Sequence, residues 1–237
     1  MRMSNKILAG LAVVIVVGLI VLIAMFRGFA GRVMKDVPEG QRIYGGGNRI
    51  ERNYDVEGFT GIESSGGWEV TVTRGDRYEV RIFASEDIHE ILRIRGKGDD
   101  LILGIMPGNT VQDARLIAEI VMPDLDRIAA SGGLSCRFSG FSGDRLDIEV
   151  SGGADIRGND GRYENVDVNI SGAANVDLDN MRVVNADVNL SGAGNIELTM
   201  AGGVLTGSLS GAANLTYYGT VSRLDVDKSG IASINHE

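Results

Sequence analysis

The stretches Leu146–Ile156 (LDIEVSGGADI), Val166–Val176 (VDVNISGAANV) and Ala186–Ile196 (ADVNLSGAGNI) are three copies of one pattern, each 20 residues after the last. Fixed periodicity of this length is typical of solenoid proteins, in which each repeat stacks on its neighbour. Apolar and polar residues alternate inside each copy, which indicates strands rather than helices. A Ser-Gly pair marks every copy, at Ser131, Ser151, Ser171, Ser191, Ser210 and Ser229.

This pattern predicts an all-β fold in which a right-handed parallel β-helix has coils of about 20 residues. Residues that share a repeat position would then stack, with Ile148, Val168 and Val188 in the core. We expect the glycine after each serine to turn a corner, since it has no Cβ. Upstream, strand-like alternation predicts two β-hairpins before the repeats, over 68–82 and 92–105.

The N-terminal region carries a long apolar segment. Ile7–Phe26 is an uncharged run of 20 residues, and a helix of that length spans about 30 Å, the thickness of the hydrocarbon core of a bilayer. We therefore expect one N-terminal transmembrane helix that anchors the chain as a single-pass membrane protein. Cations flank the run on both sides, so the positive-inside rule does not decide the orientation.

The domain organisation follows from these segments. We assign 1–26 to a short basic tail and the transmembrane helix, and 27–45 to a tether. The β-solenoid domain covers 46–237, with a hairpin-rich part at 46–130 and the repeat coils at 131–237.

The charge of the chain limits its partners. Residues 1–35 hold five of the 23 cations and none of the 32 acids, so 18 cations face 32 acids in the rest of the chain. An acidic surface repels phosphate backbones, which excludes nucleic acid as a partner. The membrane is the partner of the N-terminal helix, and the ligand of the exposed domain, a protein or a polysaccharide, is not identified by the sequence.

Several upstream motifs combine with the Ser-Gly repeats into a family pattern. The chain resembles the head GIN domain family of autotransporter adhesins over about residues 44–235, on the motifs Gly45–Asn48, Gly58–Ile62, Trp68–Val72, Leu101–Leu103 and Met122–Leu125. The resemblance implies an adhesin-like domain of the bacterial envelope that faces outside the cytoplasm. It implies no catalytic residues and no cofactor.

One set of side chains is a candidate site. Asp147, Asp167 and Asp187 share an outward repeat position, with Asp225 equivalent further on. Stacked coils would place them about 4.8 Å apart, where like charges repel. One interpretation is a solvated acidic face that prevents lateral aggregation. The other is a metal site in which Ca²⁺ bridges the carboxylates.

The remaining chemistry-bearing residues have structural interpretations. His89 and His236 lie far apart in the sequence, and we expect both at the surface rather than in a ligand set. No histidine recurs with the repeated serines, so we expect their hydroxyls to bond the backbone at the corners. Cys136, the single cysteine, is expected to be a small buried residue.

These observations favour a non-catalytic, adhesin-like binding or scaffolding module of the cell envelope. Two alternatives remain open. One is a polysaccharide-active enzyme that uses surface carboxylates as acid and base, although few aromatic residues follow Phe141 to stack on sugar rings. The other is a cytoplasmic, membrane-tethered β-helix that polymerises end to end.

Overall fold

The structure is a computed structural model that describes residues 41–44, 48–112 and 114–237, and Arg42–Glu237 form a compact unit. The predicted transmembrane helix and most of the tether lie outside the described residues. No helix within the described ranges is long and apolar enough to span a bilayer. The elements of the described part are β1 (Gln41–Tyr44), β2 (Arg49–Asn53), β3 (Gly61–Arg74), β4 (Glu79–Ser85), α1 (Glu86–His89), β5 (Leu92–Lys97), β6 (Asp100–Ile105), β7 (Asn109–Gln112), β8 (Leu116–Met122), β9 (Arg127–Ser139), β10 (Ser142–Ala201), β11 (Val204–Thr220) and β12 (Arg223–His236).

The repeats form a parallel stack. Strand β9 pairs with β10, β10 with β11 and β11 with β12, all in parallel. The register joins residues one repeat apart, so that Ser131 lies opposite Ser151, and Ser191 opposite Ser210. Strand β10 alone covers 60 residues, and each of its repeats contributes one layer.

The sheet as a whole is mixed, which corrects the predicted fold class. Its ten strands run in the order β12-β11-β10-β9-β3-β8-β4-β2, with β5 and β6 off this path. Strand β4 pairs antiparallel with both β2 and β8, and β5 pairs antiparallel with β6. The prediction of a right-handed parallel β-helix is therefore wrong. Parallel pairing extends beyond the repeats to β3, which pairs in parallel with β6, β8 and β9. The antiparallel pairs are added by β2, β4 and β5, which do not follow the 20-residue period.

The first predicted hairpin is also wrong. Strands β3 and β4 flank the turn at Arg74–Arg77, but β8 lies between them, parallel to β3 and antiparallel to β4. The alternation of β3 and β4 predicts two strands but cannot reveal which distant strand is inserted between them. The second predicted hairpin is confirmed, since Leu92 lies opposite Ile105 and Lys97 opposite Asp100.

The core consists of the inward columns of the stack. Ile148, Val168 and Val188 are each completely buried, as the alternation predicted. Cys136 is buried as expected, and burial raises the pKa of its thiol to about 12. The Tyr163 hydroxyl, also buried, donates to the Leu125 carbonyl over 2.7 Å, which satisfies its polar atom inside the core.

The corner glycines are required by close backbone contact. Gly172 has φ +143°, and a Cβ there would lie 2.2 Å from the carbonyl oxygen of Gly152 in the adjacent layer. Such an approach is far inside van der Waals contact, so any side chain would push the layers apart. The prediction that these glycines turn the corners is confirmed.

The two ends of the stack differ. On one side β3 is covered by the parallel strands β8 and β6, and antiparallel strands lie beyond these. Strand β12 forms the other edge of the described sheet. Leu224 and Ile231 of β12 are exposed, Ile231 by 86%. Lys228 lies in register with the buried Leu209, but its own side chain is exposed at the edge of the sheet. A charge at this position of a sheet edge hinders further strand addition.

Replacement of Gly172 by alanine is expected to destabilise the domain by more than about 3 kcal/mol, through the clash with Gly152 and the positive φ. The matched control is Gly153→Ala, where the nearest atom to the new Cβ lies 3.9 Å away. Chemical denaturation of both variants measures the difference. Equal stability of the two variants would contradict the backbone contact.

Lys228→Leu is expected to promote self-association, because leucine continues the apolar column of Leu209 to the open end. Sedimentation velocity over a concentration series should show the variant as a dimer or larger, and the wild type as a monomer. Lys97→Leu, at the exposed end of β5, serves as a control for the loss of charge. A monomeric Lys228→Leu variant would show that β12 is blocked by something other than this charge.

Candidate functional site

A groove runs across the layers on one face of the stack. Its volume is about 590 Å³, and Val150, Ile170 and Leu190 are among the residues of its floor. The groove exists because each layer bends at the corner glycine, directly after the serine. The serine column consists, by register, of Ser65, Ser131, Ser151, Ser171, Ser191, Ser210 and Ser229. Its members from Ser131 to Ser210 line the groove.

Most hydroxyls of the serine column do not form the expected bonds to the corner backbone. Ser131 donates to the Ser64 carbonyl over 3.5 Å, at the limit of a hydrogen bond. The structure shows no comparable bond from Ser151, Ser171 or Ser191 to any described residue, and all three side chains are exposed. The backbone of the corner is satisfied by the strand pairing itself, which leaves these hydroxyls free to face the groove.

The first member of the serine column was missed by the sequence reasoning. Strand β3 lies against β9 with Ser65 opposite Ser131 and Gly66 opposite Gly132. The signal was present, since Ser65-Gly66-Gly67 repeats the triplet at Ser131. An insertion over 75–126 separates the two copies and hides the period.

A second column, two residues before the serines, forms the other side of the groove and consists of Glu63, Ala129, Glu149, Asn169, Asn189 and Ser208. The Asn189 amide donates to Asn169 Oδ1 over 3.4 Å, and the Ser208 hydroxyl donates to Asn189 Oδ1 over 2.9 Å. These bonds link three layers. This side of the groove is therefore polar and ordered.

The charged residues of the lining lie together at the β9 end. Arg127 bonds Asp100 over 2.9 Å and Glu149 over 2.7 Å. Burial is the largest single influence on the pKa of the guanidinium and lowers it. The bonds to Glu149 and Asp100 together outweigh burial, so the pKa is raised. Beyond Glu149 the lining is uncharged.

The predicted acidic column is assembled but partly neutralised. Arg145 bonds Asp147 over 2.7 Å and Asp167 over 3.0 Å. Asp187 accepts a 2.8 Å bond from the Thr206 hydroxyl, and Asp225 pairs with Arg223. Burial raises the pKa of Asp167, while Arg145 opposes that rise. The calcium site at Asp147, Asp167 and Asp187 stays a prediction, and Arg145 already supplies a cation between two of its carboxylates.

A second acidic cluster brings three carboxylates together. Ligand oxygens of Asp177, Asp179 and Glu197 all lie within 4.8 Å of one another. Burial and the neighbouring Asp177 raise the pKa of Asp179. The sequence contained the signal, because Glu197 follows Asp177 by one repeat, but only the structure shows that Asp179 turns toward them.

The two histidines have different environments. His89 is buried, against prediction, with Nδ1 3.1 Å from the Tyr54 hydroxyl and Nε2 3.2 Å from the Ile50 carbonyl. His236 is exposed as predicted. Its ring stacks on Tyr217 with centroids 4.5 Å apart, at the open end of the stack.

Comparison with known families identifies the domain. Residues 58–221 match the family model described as "putative auto-transporter adhesin, head GIN domain". The chain belongs to this family. The resemblance stated from the motifs is thereby confirmed, and the family description suggests a location in the cell envelope or at the cell surface. A search of curated proteins found no match.

Solved structures share the fold of this head GIN domain. A "putative adhesin" from Bacteroides fragilis is 19% identical with a TM-score of 0.66, and the match covers 82% of this chain and 100% of that one. A "putative adhesin" from Parabacteroides distasonis is 15% identical with a TM-score of 0.54, covering 83% and 100%. At these identities the likeness shows the fold alone.

Asp167→Asn is expected to raise the melting temperature at pH 7 by roughly 1–2 °C. Burial raises the pKa of Asp167, so the folded state is penalised when the carboxyl is ionised, and the penalty disappears as the pH falls through that pKa. The gain should therefore shrink toward pH 3, as thermal unfolding at several pH values would show.

The control for this variant is Asp227→Asn, which removes one charge from the exposed β12. A constant difference at all pH values would contradict the burial of Asp167.

Repeating the wild-type measurement with Ca²⁺ tests the cation hypothesis, which requires a higher melting temperature in its presence.

Proposed function

We propose that this chain is a non-catalytic binding module of the bacterial cell envelope, and that the groove is its ligand-binding surface. The N-terminal apolar run would hold it in the membrane as a single-pass protein, with the head GIN domain outside the cytoplasm. Family membership supports the adhesin-like role. The acidic face has less support as an enzyme site, since Arg145 engages Asp147 and Asp167.

The observation that carries the proposal is the set of unbonded serine hydroxyls along the groove. Hydroxyl groups both donate and accept hydrogen bonds, and these repeat at every layer of a rigid sheet. A ligand bound along the groove would make many equivalent contacts without ordering flexible loops, which reduces the entropic cost of binding.

The shape of the groove favours an extended ligand. It passes from Glu63 of β3 at one end to Ser210 of β11 at the other, across five layer spacings of about 4.8 Å, or about 24 Å. A compact small molecule would use only part of this length, whereas a polymer segment would contact every layer.

Ser171→Tyr is expected to weaken binding to cell-envelope polymers at least about tenfold, because the ring fills the middle of the groove. The full-length protein in nanodiscs would be titrated onto immobilised envelope polysaccharide and, separately, onto envelope protein. Ser233→Tyr is the matched control, since Ser233 is an exposed serine on β12 outside the groove.

The two variants distinguish the groove from the rest of the surface. Equal binding by Ser171→Tyr and the wild type would contradict the groove as the binding surface. Release of soluble fragments from the polymer by the wild type would contradict a non-catalytic role.

A further inference from the structure

We propose that the groove takes a neutral, extended, β-linked glycan, with about one sugar ring for each layer of the stack. This inference rests on the proposed function, because it names the ligand class of the same groove. It is carried by three properties of the groove: its repeat distance, its charge and the direction in which it runs.

The repeat distance separates glycans from peptides. Side chains of the serine column recur every layer, at about 4.8 Å. An extended peptide presents side chains on one face at about 6.6–6.8 Å, so its contacts would lose register after one or two layers. A pyranose ring in an extended β-linked glycan advances the chain by nearly one layer spacing, so successive rings meet equivalent serines.

The direction of the groove also disfavours a peptide. The groove crosses the strands rather than following a sheet edge, and the backbone groups of its floor are already bonded between layers. A bound peptide could not add as a further strand, which is the usual source of affinity for extended peptides. The unbonded donors and acceptors are side-chain groups, chiefly the serine hydroxyls and the NH2 group of Asn169. The Asn189 amide is already bonded to its neighbours.

The charge of the groove selects a neutral polymer. The chain carries a formal net charge of −9, which repels polyanions. The cation in the lining, Arg127, is engaged by Asp100 and Glu149. From Ser151 to Ser210 the polar groups of the lining are uncharged hydroxyls and amides, which lie beside the apolar residues Ile170 and Leu190. The hydroxyls and amides match the hydroxyls and acetamido groups of neutral sugars in donor and acceptor capacity.

Isothermal titration with the full-length protein in nanodiscs tests this inference. The probes are β-1,4-linked glucose and N-acetylglucosamine oligomers of two to six rings, with maltohexaose as an α-linked control of curved shape. Affinity for one β-linked series should increase about fivefold for each ring and level off near five rings, the number of serines from Ser131 to Ser210. Maltohexaose should bind at least about tenfold more weakly than the matching β-linked hexamer.

Two variants connect the result to the groove. Ser171→Tyr should abolish the length dependence beyond two rings, because it divides the groove. Ser233→Tyr should retain it, and circular dichroism would confirm that both variants are folded.

The outcomes separate this inference from the proposed function. If Ser171→Tyr weakens binding to envelope polymers but neither β-linked series binds with length dependence, the glycan assignment is overturned and the binding groove remains. Tighter binding of maltohexaose also overturns the glycan assignment. If Ser171→Tyr changes neither envelope binding nor oligosaccharide binding, both proposals fail.

Discussion

The close approach of backbones at the corner glycines is the constraint on which the stack depends. Gly172 lies so near the Gly152 carbonyl that a methyl group would clash, and the same contact recurs between Gly192 and Gly172. A one-residue slip would put a side chain into this space and reverse the faces of every strand. The corner therefore fixes the register of each layer relative to the next.

Because the register is fixed, each residue of the repeat forms a continuous column along the stack. The residue before each glycine is always serine, so the hydroxyls must form a column, and the bend at the glycine makes that column one side of a groove. Ile148, Val168 and Val188, which point inward from the same strands, are completely buried. Core and groove thus have one cause, and a change that loosens the corner would disturb both.

The sequence predicted features set by the period and missed those set by distant contacts. The buried columns, the corner glycines and the alignment of Asp147 with Asp167 follow from a 20-residue repeat. The insertion of β8 between β3 and β4 does not follow from the repeat. All three segments alternate in the same strand-like way, so their sequences do not show which of them pair. His89 was placed at the surface since nothing nearby in the sequence shows that Ile50 and Tyr54 enclose it.

The mixed sheet explains how a repetitive structure can end. A parallel stack exposes a strand edge at both ends, and each edge invites further pairing. Strands from the non-repeating region cover one end, first in parallel and then antiparallel, while Lys228 replaces an apolar residue at the other. The departures from the repeat therefore restrict growth along the stack axis, whereas the groove on its side keeps the period. A ligand that follows the axis meets equivalent layers, and this is why the side of the stack rather than its ends suits a polymeric partner.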